Sequence, residues 1–507
     1  MNRTELLARL ADRSVEWDVL VIGGGATGLG IALDAASRGY RTALLEGADF
    51  AEGTSSRSTK LIHGGVRYLR GGEVGLVRES LRERGRLLHN AAGLVKPLAF
   101  VVPAYRWYER FFYGVGLTLY DVLAGSLGIE STGHLSAADS IREVPNLSND
   151  GLRGATQYWD GQFDDARLAI ALAMTAVKEG ATVVNHVKVE ELIQESGKVS
   201  GVAAVDQLDG TEYRVRARVV INATGVFSDS VRRMDNPDAG DIMTTSQGMH
   251  LVLDREFLGG DTAVMIPSTD DGRVLFAIPW YNRVILGTTD TGGVAVDRHP
   301  APLDSEIDYL LEHMGRYLVK TPERSDIKAA FAGLRPLVRP RGDSGATSKI
   351  SRSHQILVSE KGLLTVAGGK WTTYRQMAEE AVDKACTLGG LGAQPCLTRD
   401  LPLLHSGPVK GDLLDAELPY TLGDIDRGLK EEMAMTLDDL LSRRTRSLLL
   451  DSEAVVRIAP LVAKRMAEHF DRDDHWVESE FSRFRRIAAA YKAPTSQRPS
   501  SPESEGS

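Results

Sequence analysis

The chain has 507 residues, of which 42% are hydrophobic, and it carries a formal net charge of −9. Two or three globular domains are expected, because this length exceeds what one ordinary hydrophobic core can support. The acidic balance argues against nucleic acid as the main partner, since phosphate backbones are bound by clustered Lys and Arg. Cys386 and Cys396 are too few for a disulfide framework or a cysteine metal cluster, which suits a reducing cytoplasm.

The first predicted elements form a strand, helix and strand unit. Residues 17–22 (WDVLVI) are an apolar run that ends in glycines, which is typical of a buried parallel strand. A helix is predicted over 26–38 and a second strand over 41–46. Acidic residues precede the first apolar run, so no signal peptide is predicted and a cytoplasmic location is expected.

A glycine-rich turn joins the first strand to the helix. Gly23, Gly25 and Gly28 match G-x-G-x-x-G, and Glu46 ends the second strand 18 residues after Gly28. The pattern predicts a pyrophosphate at the helix N-terminus and a ribose hydroxyl on the Glu46 carboxylate. An acid at this position disfavours NADP, but the spacing does not separate NAD from FAD.

The segment 111–129 is the most membrane-like in the chain. It approaches spanning length, but Asp121 and several glycines interrupt it, so we interpret it as a buried or interfacial amphipathic helix. Arg106 and Arg110 in front of it would suit a helix lying on an anionic surface. A peripheral position on the cytoplasmic face of the inner membrane is therefore a hypothesis.

Two further glycine turns follow apolar strands. The run 219–229 (VVINATGVFSD) resembles the second fingerprint of flavoproteins and contains Ala223, Thr224 and Gly225. The run 367–375 (AGGKWTTYR) contains Gly368, Gly369 and Thr372 and opens a helix, whose free amides would suit an anion or a developing negative charge. An ordinary strand-to-helix turn is the alternative for the first run, and a capped helix with Thr372 and Thr373 solvated is the alternative for the second.

Together these motifs resemble the FAD-dependent, quinone-linked glycerol-3-phosphate dehydrogenases. The resemblance extends from about Trp17 to Lys492, and its pieces keep the order and separation of the family. They are GGGATGLGIALDAASRG, GTSSRSTKLIHGGVRYL, YWDGQFDDARL, INATGVFSD, IPWYNRVILGTTDT, GLRPLV, GGKWTTYR and TLDDLLSRRTR. It implies FAD as cofactor, sn-glycerol 3-phosphate as substrate, dihydroxyacetone phosphate as product and a quinone as acceptor; a homodimer is a further hypothesis.

The implied fold is α/β, with a Rossmann-type FAD-binding domain of the D-amino-acid-oxidase-like kind, an inserted antiparallel-sheet substrate domain and a helical C-terminal domain. Short β runs between about 240 and 340, with a helix near 304–318, support the insertion. The expected boundaries are an N-terminal extension (1–16), the FAD-binding domain (17–235 and 341–393), the substrate domain (236–340), the helical domain (394–492) and a disordered tail (493–507).

The resemblance also assigns site residues. It implies that Thr54, Ser55, Ser56, Ser58 and Lys60 face FAD, and that His63, Arg67 and Tyr68 face the substrate.

Within the substrate set, the chemistry suggests separate roles. Arg352 and Arg67, with Tyr68, are the predicted phosphate clamp, because guanidinium forks hold dianions bidentately. Arg335 and His63 are placed at the reacting hydroxyl, with His63 as the proton acceptor.

Lys370 and His250 complete the predicted site. Lys370 is expected to support the substrate or the flavin edge. His250 is a candidate substrate residue, but its surroundings (TSQGMHLVLD) depart from the family pattern and leave its role open. No metal site is predicted, and no EF-hand loop occurs in the sequence.

Several alternatives remain open at the level of the sequence. A flavin oxidase of the same fold would share the substrate residues and release peroxide. An amino-acid or amine oxidase would have less need for the arginines, and a nucleotide-binding module or RNA-modifying flavoprotein fits the acidic charge poorly. The charged run 442–446 (SRRTR) is interpreted as a helix face rather than a binding patch.

Overall fold

A computed structural model of the chain describes residues 1–66, 72–267, 269–339 and 353–493. Its helices, in chain order, are α1 (Arg3–Ala11), α2 (Ala26–Ser37), α3 (Val74–Asn90), α4 (Glu109–Ala124), α5 (Ala137–Glu143), α6 (Asp165–Lys178), α7 (Ser228–Asp235), α8 (Asp304–Gly315), α9 (Tyr374–Gly389), α10 (Leu422–Lys430), α11 (Ser447–Leu450), α12 (Ala454–Phe470) and α13 (Asp474–Ala489). Its strands are β1 (Trp17–Ile22), β2 (Thr42–Leu45), β3 (Leu61–Ile62), β4 (Val95–Pro103), β5 (Gly133–Leu135), β6 (Ala155–Phe163), β7 (Thr182–Val184), β8 (Val187–Glu195), β9 (Lys198–Asp206), β10 (Glu212–Asn222), β11 (Met243–Asp254), β12 (Ala263–Ile266), β13 (Leu275–Trp280), β14 (Arg283–Gly287), β15 (Thr291–Gly292), β16 (Ala329–Val338), β17 (His354–Val358), β18 (Leu364–Gly368), β19 (Leu413–Asp415) and β20 (Leu418–Thr421).

The first sheet has the strand order β17-β18-β10-β1-β2-β7. Strands β18, β10, β1, β2 and β7 run parallel, and helix α2 contacts α6 and α9. Because the strands are parallel, the turns after β1, β2, β10 and β18 emerge at one edge. In register, Ile22 lies beside Leu45 on one side and beside Asn222 on the other. This edge is where the three glycine turns of the sequence come together, as in a Rossmann-type domain.

The second sheet has the order β15-β11-β14-β13-β12-β4-β6-β3, with β16 paired to β11 and β5 paired to β6. Most of its pairs are antiparallel, as the sequence predicts for this layer. Its extent differs from the expected boundary at 236–340, because β3 to β6 come from residues 61–163. Sequence reasoning missed this because β4 pairs with β12, a strand more than 150 residues later, and no local pattern encodes such pairing.

The C-terminal helices α10 to α13 pack against the second sheet. Phe331 and Trp280 of that sheet share one hydrophobic core with Leu418, Leu440 and Phe484. The small β19–β20 hairpin precedes these helices. The described part of the C-terminal region is therefore mainly helical and rests on the substrate-side layer.

The charged run that the sequence predicts to be a helix face is instead buried. Arg443 and Arg444 both donate to Asp49, at 2.5 and 2.6 Å, and Arg446 donates to Asp165 at 3.1 Å. Each of these guanidinium groups is at most 2% exposed. Most of the run does lie in a helical segment, Asp439–Arg444, but not on an exposed face. Its buried charges are neutralised by the adjacent Asp438 and Asp439 and by Asp49 and Asp165, which come from the first half of the chain.

Candidate active site

The first glycine turn is fixed by close backbone packing. A Cβ atom on Gly28 would lie 1.9 Å from the carbonyl oxygen of Gly23, and one on Gly23 would lie 2.7 Å from the carbonyl oxygen of Ala223. The turn therefore needs glycine at both positions. The Oγ atom of Ser55 accepts from the Ala26 amide at 2.9 Å. The other first-turn amides of α2 have no intrahelical partner and suit a phosphate group.

Glu46 follows β2 and faces the same turn. Its two carboxylate oxygens accept from the amides of Gly24 at 2.6 Å and Ala48 at 2.8 Å. Burial raises the pKa of the Glu46 carboxyl above its ordinary value, although the two amides favour the charged form. The side chain is thus held in one orientation, with capacity to accept from a ribose hydroxyl.

A cavity extends from Glu46 past the first glycine turn to the second and third turns. The lining residues that the sequence identifies are Gly23, Gly25, Glu46, Thr54, Ser55, Ala223, Thr224, Gly225, Gly368, Gly369 and Lys370. Sequence reasoning did not identify Lys188, Val189, Met234, Arg298 and Trp371, which also line it. Trp371 could have been found from its place inside the third motif. The other four belong to elements without a motif.

This donor set fits FAD. Free amides at α2 match a diphosphate, the Glu46 carboxylate matches an adenosine ribose, and the turn at Gly368 and Gly369 opens α9 at the far end of the cavity. Both of these glycines have positive φ angles, of 78° and 87°. Lys370 lies directly after them and places a positive charge at that end.

Part of the segment expected to face the cofactor points elsewhere. The Ser58 hydroxyl and the Lys60 ammonium both donate to one oxygen of Asp165, each at 2.7 Å, and Lys60 also donates to the carbonyl of Ser56. Ser56, Ser58 and Lys60 do not line the cavity. Burial lowers the pKa of Lys60 to about 8, although the Asp165 carboxylate favours the charged form. The structure therefore gives Ser58 and Lys60 a place in a buried polar cluster.

The same segment joins the predicted catalytic residues. Thr54 donates to the carbonyl of Leu334 at 2.6 Å, directly before Arg335 on β16. Thr372 donates to the carbonyl of His63 at 3.3 Å. The segments that carry His63, Arg335 and Lys370 are thus brought together around one end of the cavity.

The guanidinium of Arg335 is fixed against β11. It donates to the carbonyls of Gln247 at 3.1 Å and Thr289 at 2.9 Å. A Cβ atom on Gly248 would lie 2.4 Å from Nη2 of Arg335, so the guanidinium crosses β11 where a side chain is missing. Arg335 lies on strand β16 and is only partly buried.

His250 lies on β11 and is 2% exposed. Its ring stacks on Phe331, and its Nε2 atom lies 2.9 Å from the hydroxyl of Thr59. Burial, together with the charges of Lys60 and Arg335, holds the pKa of His250 well below its ordinary value. The ring is therefore neutral, and its described contacts are to Phe331 and Thr59.

The remaining predicted residues divide into two groups. Lys370 lines the cavity and donates to the Ser80 hydroxyl at 3.4 Å. Arg67, Tyr68 and Arg352, the predicted phosphate clamp, lie outside the described residues.

Comparison with known proteins shows which families and relatives the chain is similar to. The model of the FAD dependent oxidoreductase family matches residues 18–375, and that of the C-terminal domain of alpha-glycerophosphate oxidase matches residues 398–476. The mitochondrial glycerol-3-phosphate dehydrogenase of Rattus norvegicus is 40% identical over 547 residues, covering 95% of this chain and 75% of the relative. The human protein of the same name is 39% identical over 534 residues, covering 93% and 73%.

Solved structures show the same similarity. The glycerol-3-phosphate dehydrogenase of Bacillus halodurans, solved as a complex with FAD, superposes with a TM-score of 0.78 at 29% identity and covers 98% of both chains. The L-alpha-glycerophosphate oxidase of Mycoplasma pneumoniae has a TM-score of 0.58 at 17% identity, covers 76% of this chain and 98% of its own, and supports the fold alone.

Proposed function

Because this chain belongs to the FAD-dependent glycerol-3-phosphate dehydrogenases and uses FAD as its cofactor, we propose that it oxidises sn-glycerol 3-phosphate to dihydroxyacetone phosphate and passes the electrons to a quinone. The observation that supports the substrate proposal is that the segments carrying His63, Arg335 and Lys370 meet beside the cavity. The quinone as acceptor rests on the resemblance of the motifs to quinone-linked relatives.

Bound FAD would supply the acceptor for the hydride from carbon 2 of the substrate. The residues of the chain bind the substrate and move the proton. We assign His63 as the acceptor of the hydroxyl proton, because an imidazole titrates near the operating pH. Arg335, held rigidly by two carbonyls, orients the substrate oxygen.

Negative charge that develops at the flavin end would be met by the third glycine turn. Lys370 supplies a full positive charge there, and the start of α9 supplies partial positive charge from its free amides. Arg67, Tyr68 and Arg352 remain the predicted holders of the substrate phosphate.

Contact with a lipid surface is part of the proposal. No helix in the described part of the chain is long and apolar enough to cross a membrane. Helix α4 nevertheless exposes an apolar face. Trp107, just before it, is 82% exposed, and Phe111 is 76% exposed. Val115 and Val122 are also exposed and continue this face at helical spacing.

Such a face suits a peripheral contact in which aromatic rings enter the lipid headgroup region. Arg106 is exposed beside it and would favour anionic lipids. We propose that this contact is made on the cytoplasmic face of a membrane, where a quinone is available. A homodimer stays a prediction.

Steady-state turnover tests the proposed reaction. We expect the purified holoenzyme to form dihydroxyacetone phosphate from sn-glycerol 3-phosphate with a soluble quinone analogue under nitrogen, and to form little peroxide in air without the quinone. Peroxide formed in step with product, at the same rate in air alone, would instead assign the chain as an oxidase.

A further inference from the structure

The loop 293–303 leaves the second sheet after β15 and returns at α8. We call it the strap. Near its two ends, its carbonyls accept hydrogen bonds from β11: Thr245 donates to Val294 at 2.6 Å, and the Gln247 amide donates to Ala301 at 3.1 Å. The strap is therefore fastened to the substrate-side sheet, and its middle part is free to reach the cofactor cavity.

The middle of the strap rests on the wall of that cavity through His299. Its Nδ1 atom lies 3.0 Å from Nη2 of Arg57, and its Nε2 atom lies 3.5 Å from the Glu52 carboxylate. Arg57 also donates to the carbonyls of Glu52 and Gly53, which themselves line the cavity. The guanidinium has no acceptor capacity, so Nδ1 accepts a hydrogen bond from Arg57 and Nε2 carries the N–H that faces Glu52.

These contacts of His299 place its neighbour Arg298 at the cavity. It lines the cavity together with Glu46, Glu52 and Gly53. Its side chain is exposed, and within the described residues it forms no hydrogen bond or ion pair. Its guanidinium thus borders a cavity that already contains two partly buried carboxylates, and its charge favours the ionised form of one of them, Glu46.

The charges of the cavity show what such a fork can bind. The diphosphate of FAD is dianionic, and Glu46 and Glu52 both oppose its entry. Among the cationic lining residues, Lys188 is paired with Glu190 at 2.9 Å, and Lys370 lies at the opposite, flavin end. Arg298 is the described cation best placed to offset the diphosphate charge, and its planar fork matches phosphate oxygens bidentately.

We propose that Arg298 binds the diphosphate of FAD, and that the strap, fastened by His299 to Glu52 and Arg57, holds it there. The substrate-side layer would then contribute directly to cofactor retention, which the glycine motif alone does not reveal. The proposal concerns FAD binding and does not depend on which substrate is oxidised.

The test measures FAD affinity in three full-length variants. Arg298→Gln removes the charge, Arg298→Lys keeps it, and Arg472→Gln is the control, an exposed arginine of the C-terminal region that does not line the cavity. Apoprotein is titrated with FAD by flavin fluorescence, and bound FAD is then displaced competitively by ADP or by adenosine. We expect Arg298→Gln to weaken FAD and ADP binding about 10- to 100-fold, the range for a charge-assisted contact.

Comparing ADP with adenosine distinguishes the effect of the Arg298 charge from an effect of the shape of the strap. Adenosine lacks the diphosphate, so its affinity should be the same in Arg298→Gln and in the wild type, while Arg298→Lys should restore most of the FAD affinity. Unchanged FAD affinity in Arg298→Gln would overturn the proposal. An equal loss for ADP and adenosine would also overturn it, because Arg298 would then act only through the shape of the strap.

If apoprotein cannot be prepared, the rate of FAD release from holoenzyme diluted into FAD-free buffer gives the same comparison. Arg298→Gln and His299→Ala should both release FAD faster than the wild type and Arg472→Gln. Equal release rates in all four proteins would contradict the assignment.

Discussion

Arg335 shows how a charged side chain can be positioned for chemistry while partly removed from water. Its guanidinium donates to two main-chain carbonyls, which fixes the plane of the fork without neutralising its charge. Asp290 pairs with the guanidinium at 3.6 Å, and Arg335 remains partly exposed, so a bound substrate oxygen can still reach it. A rigid cation of this kind can orient a substrate with little loss of conformational entropy.

Replacing Arg335 should therefore reduce turnover and leave the cofactor in place. We expect Arg335→Ala to lower kcat/KM for sn-glycerol 3-phosphate about 100-fold, because one charge-assisted contact to the reacting end of the substrate is lost. Steady-state kinetics and the flavin content of the purified protein measure both effects. Arg472→Ala is the matched control. A variant with unaltered kcat/KM would show that Arg335 does not contact the substrate.

Gly248 makes a second test of the same geometry. A methyl group at this position would lie 2.4 Å from Nη2 and 2.8 Å from Cζ of Arg335, so the guanidinium would have to move. We expect Gly248→Ala to lower kcat/KM by about 10-fold or more, with normal FAD content, since a displaced orienting group costs catalysis more than folding. Gly75→Ala, where an added Cβ meets nothing within 4 Å, is the control. Wild-type kinetics in Gly248→Ala would be incompatible with a fixed Arg335.

At the scale of single elements, helix α4 combines a buried and an exposed apolar face. Leu117 and Tyr120 are buried in a core with α3 and β4, whereas Phe111 and Phe112 point to solvent. An apolar face of this size in water is unfavourable unless something covers it. A lipid surface would cover it and would bring the enzyme to its electron acceptor.

Removing the exposed rings should detach the protein from membranes without unfolding it. We expect the double variant Phe111→Ser and Phe112→Ser to bind vesicles of mixed neutral and anionic lipid at least about 10-fold more weakly, because both side chains lose their transfer free energy. Val319→Ser, at an isolated position that is 71% exposed, is the control in the same vesicle sedimentation assay. Equal sedimentation of the two variants would argue against α4 as the lipid contact.

The elements differ in how far the sequence could predict them. The unit β1-α2-β2 and the third glycine turn are encoded locally, by periodicity and by glycines that only one backbone path accepts, and these were predicted. The second sheet could not be delimited, because β4 and β6 pair with each other and with β12 across long separations. Arg298 was missed for a similar reason: the strap has no motif, and only its contacts show where it lies.

At the scale of the whole molecule, buried ion pairs join the C-terminal region to the FAD-binding layer. We call these ion pairs the clasp. The Nε2 atom of His186 lies 2.9 Å from the Asp439 carboxylate, and Asp49 accepts from Arg443 and Arg444. Burial lowers the pKa of His186, but the carboxylates of Asp439 and Asp49 more than offset this, so its pKa lies above the ordinary value. The folded protein therefore favours the protonated form of His186 more than the unfolded chain does.

This raised pKa predicts the pH dependence of the clasp. The contribution of His186 to stability is fully present below the pKa of the unfolded chain, near 6.5, and is lost as pH rises through the higher folded pKa. We expect the difference in the free energy of unfolding between the wild type and His186→Gln to be larger at about pH 6 than at about pH 9. Denaturant unfolding at both pH values measures it, with the exposed His475→Gln as control. A difference that grew with pH would refute the charged clasp.

The most direct test of the account is the visible flavin absorption of the purified holoenzyme during anaerobic addition of sn-glycerol 3-phosphate. The account predicts that the oxidised flavin band is bleached by about one equivalent of this substrate, that the opposite enantiomer leaves it unchanged, and that a quinone analogue restores it. A flavin band that survived excess sn-glycerol 3-phosphate would contradict the proposed function.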